Sequence, residues 1–567
     1  MPDGPFLDAG AMAAALPLER QVGQLLMVGF PGVEPPPSLL ERIERGEVGG
    51  VILFSRNVKT PDQVRSLVRQ LQDVSLRAGV PGGQAGIGLL VATDQEGGRV
   101  VRLKPPATWF PSAMALGATG DVELVEALAL AMGRQLRAVG VNMDLAPVLD
   151  VNNNPANPVI GLRSYGEDPQ LVARLGAAAV RGLQSAGVAA TGKHFPGHGD
   201  TALDSHVDLP VVPHGRERLE RVELVPFRAA IAGGISAIMT SHVVFPAIEP
   251  EPGRPATHSR AVLEGLLRGE LGFGGLIVTD CLEMRAISDR FEPGEAAVRA
   301  FEAGADLILV SHTESRQREA YRALVDAARS GRISRQRLRE SVERVLALKR
   351  RYGALGAGVD DLLPDVPLSD AADLQAAELL AVRASTHAVT VVESAGLPLR
   401  SLVERMAQPE TGVVVLELGE GIATMAEERH ASPLRLAEAL RHEMGQAATP
   451  VSVEEIRVAS GTPPEQDEQA LQHLRAAVLQ RRRTPVVVTR TASQHPDQVA
   501  WARLAIELAP QASARGGDGH ALRPGGLGRR PAWYLAAYGD QPPHVRAVAA
   551  VLAGKGQPSG RFPVTVA

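Results

Sequence analysis

Residues Thr191–Pro210, TGKHFPGHGDTALDSHVDLP, carry His194, His198 and His206 with Asp200, Asp204 and Asp208 around a Pro-Gly turn. Two kinds of chemistry use such a set. Histidines bind divalent metals, and a histidine held by a carboxylate moves protons near neutral pH. His194 and His198 are four apart, but Pro196 and Gly197 between them interrupt the helix that would put both on one face. The glutamate of an H-E-x-x-H motif is also missing. A loop-built metal site from the three histidines therefore stands only as an alternative. Proton transfer needs less. Asp204 and His206 are two apart, on one side of an extended segment. A carboxylate bonded to one ring nitrogen fixes the tautomer and supports the imidazolium, leaving the other nitrogen to give or take a proton. Spacing alone does not separate this pair from two solvated side chains.

Something must hold that loop. Short apolar runs recur along the first part of the chain: QLLMVGF (24–30), GGVILF (49–54), GLLVATD (88–94), VNMDLAPV (141–148), VAATGKHF (188–195), ISAIMTSH (235–242), GLIVTD (275–280) and DLILVS (306–311). They are nearly continuous in apolar residues, as strands buried on both faces of a parallel sheet are. Amphipathic stretches such as PDQVRSLVRQLQDVSLRAG and DPQLVARLGAAAVRGLQSAG separate many of them, the second ending at Gly187. Strand and helix alternating eight times predict a TIM-like (β/α)8 barrel over 15–352, with an open doubly wound sheet as the competing arrangement. Asp94, Asp144, His194, Ser241–His242, Asp280 and Ser311–His312 gather at the C-terminal ends of these runs. In a barrel those ends meet on one face, where active sites form.

The stretch 353–380 is rich in Gly, Pro and Asp and reads as a linker. Beyond it, AVTVVE (388–393), GVVVLEL (412–418), TPVVVTR (484–490) and AWYLAAYG (532–539) read as strands. With the helical segments between them they predict a smaller α/β three-layer sandwich over 381–567. The Gly/Arg-rich segment 510–530 reads as a loop. Length agrees with two domains, since 567 residues exceed what one core usually serves. A net charge of −5 offers no basic footprint for nucleic acid or membrane, and no apolar run is long enough to span a bilayer. The N-terminus has no basic stretch before its short apolar patch, so a cytoplasmic location is expected. The lone Cys281 excludes an intramolecular disulfide and a Cys-rich zinc site. No phosphate-binding loop or other cofactor motif is present; oligomeric state is not legible.

The string KHFPGHGDTALDSH closely resembles a motif of glycoside hydrolase family 3, in the branch of bacterial β-N-acetylglucosaminidases that trim cell-wall muropeptides. DQEGGRVVRL (94–103), NPVIGLRSYGEDP (157–169) and VTDCLEM (278–284) match the same family in the same order, and GQPSGRFPVTV resembles the end of its second domain. The resemblance implies a retaining exo-β-N-acetylglucosaminidase acting on muropeptide or chitooligosaccharide ends. It implies Asp280 as nucleophile, where the residue alone would read as a helix N-cap. It implies His206 as acid/base and Asp204 as its partner, and sugar contacts from Asp94, Arg102, Arg163, Lys193 and His194. Lys193, following an apolar strand, needs a buried partner. His198 and Asp200 are expected to shape the loop, Asp208 to be structural and Cys281 to be packed and inert. Other branches take their acid from a glutamate elsewhere, often in the second domain; no motif surrounds Glu417, Glu420 or Glu427 here. Competing expectations are a phosphorylase on the same scaffold, a broader β-glucosidase, a non-catalytic sugar-binding barrel and a metal-dependent hydrolase.

Overall fold

The computed structural model describes residues 8–564, apart from 79–85, 104, 204, 206–207, 357, 364–367, 369–370, 394–397, 407–411, 419–433, 446–450, 490–495, 509–513 and 518–532. Each of the eight apolar runs contains one strand: β1 Leu26–Val28, β2 Gly50–Leu53, β3 Leu90–Thr93, β4 Met143–Asp144, β5 Ala189–Phe195, β6 Ala237–Thr240, β7 Leu276–Val278 and β8 Ile308–Val310. They pair in parallel in the order β7-β6-β5-β4-β3-β2-β1-β8. A parallel bridge between Val278 and Leu307 then joins the two ends of that row. The sheet is thus a nearly closed barrel, and the open doubly wound alternative does not hold.

Side chains fill the barrel rather than leaving a pore. Met27, Ile52, Leu90, Ala92, Met143, Leu145, Ala189, Met239, Leu276, Val278 and Leu309 pack into one buried cluster along its axis. A larger cluster lies between the sheet and its helices. Helix Pro61–Arg77 illustrates how the sequence builds this layer. Thr60 caps it by accepting from the Gln63 N–H, Pro61 occupies its first turn, and Val64, Leu67, Val68 and Leu71 bury the face that meets the barrel. Helix Pro169–Ser185 begins on the Asp168 cap, and Gly187 turns the chain beyond it at φ +80°.

The segment expected as linker ends in a helix, Ala371–Ala388, which straddles position 380 and packs on the barrel helices Ala113–Thr119 and Val122–Ala138. Its Ala-rich sequence has high helix propensity, which a reading based on Gly and Pro overlooks. Beyond it a second sheet comprises β9 Thr390–Glu393, β10 Val413–Leu418, β11 Val453–Val458, β12 Thr484–Thr489, β13 Ala514–Gly517 and β14 Trp533–Ala536, in the order β9-β14-β13-β12-β10-β11. Only the β9–β14 pair is antiparallel. Val413 and Val415 face one buried cluster while Val414 and Leu416 face another, so helices cover both sides in a three-layer sandwich. Two strands escape the sequence reading. β11 is a half-exposed edge strand with the charged sequence VEEIRV, and β13 lies within the segment expected to be loop. Among the described residues no helix is long and apolar enough to cross a membrane.

Candidate active site

Asp94, Arg102, Arg163, Lys193, His194 and Asp280 all line one cavity of about 490 Å³ at the C-terminal rim of the barrel. This size suits a small polar ligand. Asp94 follows β3, Lys193 and His194 lie in β5, and Asp280 follows β7. Arg163 reaches in from the loop after β4, at the end of the short turn Gly161–Arg163.

The cationic side of the cavity is a closed network. Lys193 Nζ lies 2.9 Å from Asp94 Oδ1 and 2.6 Å from Glu96 Oε1. Glu96 also receives Arg163 through both oxygens, each at 2.8 Å. Arg102 approaches Asp94 at 3.6 Å. Lys193 and Glu96 side chains are only 3% and 5% exposed, so neither charge could persist there alone. Burial works to raise the Glu96 carboxyl, but Arg163 and Lys193 overcome it and hold the group ionised, well below the usual range. Burial likewise pulls Lys193 down, and Asp94 and Glu96 more than restore it. The partner that Lys193 requires is therefore double, and Glu96 is the half that the sequence reading passed over. Its signal was present: Glu96 stands two residues after Asp94, on the same side of an extended segment.

His194 is fixed from behind. Its Nδ1 lies 2.7 Å from Asp150 Oδ2, and Asp150 also accepts the backbone N–H groups of His194 and His198. Burial raises the Asp150 carboxyl, yet His194 and His198 outweigh it and the group is lowered. With Nδ1 so engaged, Nε2 is the His194 nitrogen left for a ligand. Asp150 was also missed; it closes the apolar run LAPVL and was hidden by it. Asp144, fully buried, accepts the Gln95 N–H at 2.9 Å. Burial pushes its carboxyl well above the usual range. The Gln95 side chain in turn accepts from the Arg102 and Leu103 N–H groups, giving the β3 loop its shape.

Asp204 and His206 lie outside the described residues. Ser205, between them in the chain, is buried, lines the same cavity and sits 3.0 Å from His198 Nε2. His198 Nδ1 meets Thr201 Oγ1, also at 3.0 Å. Both ring nitrogens of His198 thus have hydroxyl partners, an arrangement that favours loop shaping over metal ligation. Burial lowers its pKa to about 4, keeping the ring neutral. Asp200 bonds His214 at 2.6 Å and Asp208 pairs with Arg290 at 3.0 Å, both away from the cavity lining.

Asp280 caps no helix. Its Oδ1 accepts the adjacent Cys281 N–H, and the next helix begins only at Arg285 with Met284 as its cap. The turn carrying it is anchored by His242, whose Nε2 meets the Cys281 carbonyl at 3.0 Å. Cys281 is buried, and burial pushes its thiol up to about 11, which disfavours the thiolate that a nucleophilic cysteine needs. Glu417 is buried in the second sheet and accepts the Leu436 N–H, while Glu420 and Glu427 lie outside the described residues.

The family profile described as "Glycosyl hydrolase family 3 N terminal domain" matches residues 17–348. The chain belongs to glycosyl hydrolase family 3. This family 3 chain is 38% identical over 382 residues to the beta-hexosaminidase A of Pseudoalteromonas piscicida, a match covering 60% of the chain and 63% of that relative. It thus spans less than two thirds of that relative's length. A beta-hexosaminidase of Stenotrophomonas maltophilia is 39% identical over 297 residues, covering 51% of the chain and 84% of the relative. Among solved structures, a family 3 beta-N-acetylglucosaminidase from Paenibacillus superposes with a TM-score of 0.86 at 42% identity, covering 97% of this chain and 99% of that one.

Proposed function

We propose that the chain is a retaining exo-β-N-acetylglucosaminidase that removes terminal β-linked N-acetylglucosamine from muropeptide or chitooligosaccharide ends. The observation that carries this reading is the cavity itself. A carboxylate–cation network, Asp94, Glu96, Lys193 and Arg163, shares one pocket with Asp280, in a chain with relatives named beta-hexosaminidase and beta-N-acetylglucosaminidase. Charged donors and acceptors fixed at 2.6–2.9 Å from each other suit the vicinal hydroxyls of a sugar ring, which they would bind without reorganising.

In the proposed reaction an Asp280 carboxylate oxygen attacks the anomeric carbon. The bond to the glycosidic oxygen breaks, and that oxygen takes a proton from His206, supported by Asp204. Water then gives a proton to His206 and its oxygen attacks the same carbon, releasing Asp280. Two inversions leave the β configuration. No cofactor takes part in these steps.

The test is release of p-nitrophenol from its β-N-acetylglucosaminide by the unmodified chain, Asp280→Ala and His206→Ala, with and without phosphate. Turnover abolished in Asp280→Ala and lowered about 10²–10⁴-fold in His206→Ala is the expected result. A sugar 1-phosphate product would reassign the chain as a phosphorylase, and absence of turnover in the unmodified chain would overturn the reading.

A further inference from the structure

The second domain contributes no described residue to the cavity lining, yet it is bonded to the loops that do. The first contact is at Ser112, which ends the loop running from Asp94. Ser112 N–H donates to His544 Nε2 at 3.3 Å, and Ser112 Oγ donates to the Tyr538 carbonyl at 2.6 Å. Both bonds are buried. The second is at Arg99, whose guanidinium reaches Asp540 at 3.3 Å with both side chains largely covered. The third is at the loop carrying Arg163. Glu167 N–H donates to the Pro563 carbonyl, and Leu162 packs in one buried cluster with Ala388, Ala536 and Tyr538.

These contacts lead to the sugar-binding charges through a short chain of fitted groups. Gly98, at φ +58°, lies against Ser112 so closely that an added Cβ would stand 2.7 Å from the serine Cβ. Gly98 N–H donates to the Phe110 carbonyl, and Glu96 N–H donates to the Val100 carbonyl across the turn. Glu96 is the residue that ties Lys193 to Arg163. On the other side, Tyr538 holds φ +59°, a left-handed conformation uncommon for a tyrosine, and its hydroxyl is 2.6 Å from Thr390 Oγ1. A strained backbone held this firmly and aimed at another domain's active-site loop is an observation that calls for a function.

We propose that the segment Tyr538–His544 is a positioning element for the sugar-binding cavity, with Asp540 and His544 setting the loop that carries Asp94, Glu96 and Arg102. The inference rests on the glycosidase reading for its substrate but not for the coupling it asserts. Neither residue lines the cavity; each acts through Arg99 or Ser112. The groups they position meet the sugar before and during reaction alike, whereas Asp280 follows β7, outside this loop. Losing the clamp therefore weakens binding more than it slows chemistry.

The experiment compares the full chain with Asp540→Ala, His544→Ala and His544→Gln. Hydrogen exchange in peptides covering 94–112 is the first readout, and kcat and KM on p-nitrophenyl β-N-acetylglucosaminide are the second. Asp540→Ala and His544→Ala should speed exchange in that loop, and raise KM about 10-fold with kcat changed less than about 3-fold, as for one lost hydrogen bond. His544→Gln, which restores an acceptor for Ser112 N–H, should recover most of the affinity. Unchanged exchange in 94–112 overturns the coupling. Faster exchange with unchanged KM reduces the contact to a purely structural one and overturns the positioning role. Failure of the unmodified chain to turn over would count against the glycosidase reading alone. In that event calorimetric affinity for N-acetylglucosamine replaces KM.

Discussion

Glu96 is the residue on which the cavity's charge balance turns. It is one carboxylate serving two buried cations, and replacing it leaves both short of counter-charge where little solvent reaches them. Asp94 remains to Lys193, but among the described residues Arg163 is left with the Val159 carbonyl at 3.3 Å and no second carboxylate at hydrogen-bond distance. Glu96→Gln is therefore expected to lower the free energy of unfolding by about 3–5 kcal/mol, the cost of breaking a buried pair on one side. Urea denaturation at neutral pH measures it, and a loss under about 1 kcal/mol would show that water, not Glu96, compensates these cations. Asp280→Asn makes the contrasting case. Asp280 is half-buried and accepts a neighbouring N–H, a bond the amide oxygen can keep. The same denaturation should give a difference within about 0.5 kcal/mol while turnover disappears.

At the scale of elements, the His198 hub is what joins the barrel rim to the loop carrying Asp204 and His206. Ser205→Ala removes one hydroxyl from that hub and leaves the identities of Asp204 and His206 unchanged. Its expected effect is about a 10-fold fall in kcat with KM little changed, because the proposed acid/base histidine, not the proposed sugar contacts, loses its placement. A matching rise in KM instead would put Ser205 in the sugar site. The barrel strands were legible because parallel strands buried on both faces leave unbroken apolar runs, as in GGVILF and GLIVTD. β11 was not legible, because an edge strand exposed on one side carries Glu454, Glu455 and Arg457, and its pattern merges with that of a loop. The site divides in the same way. Asp94, Lys193 and Asp280 announce themselves as polar residues ending apolar runs. Glu96 and Asp150 act through partners 97 and 44 positions away, Lys193 and His194, and only the fold brings such pairs together.

At the scale of the whole molecule, three of the buried histidines among the described residues, His198, His258 and His544, share a response to acid. Burial lowers His198 and His544 to about 4 and His258 to about 3. Each stays neutral in the folded chain well below pH 6.5, where the unfolded chain begins to protonate. Between those values the unfolded state binds more protons, so stability is lost as pH falls, by up to about 1.4 kcal/mol per pH unit for each histidine. Two carboxyls oppose the trend. Burial raises Asp144 and Glu223, so over the same range the folded state takes up their protons first and gains stability as pH falls. A net loss on acidification is expected from about pH 6 to pH 4.5, where unfolded histidines are filling and the native ones are not. Urea midpoints should therefore fall steadily over that interval. His258 does not line the cavity, donates to the Ala296 carbonyl and packs edge-on against Phe291. His258→Gln should flatten the slope by about one proton's worth. A midpoint independent of pH between 6 and 4.5, together with a slope that His258→Gln leaves unchanged, would mean that these rings are protonated in the folded chain and that their burial is relieved by water. His544 would then offer Ser112 a donor in place of an acceptor, and the contact between the two domains would weaken in the same acid range.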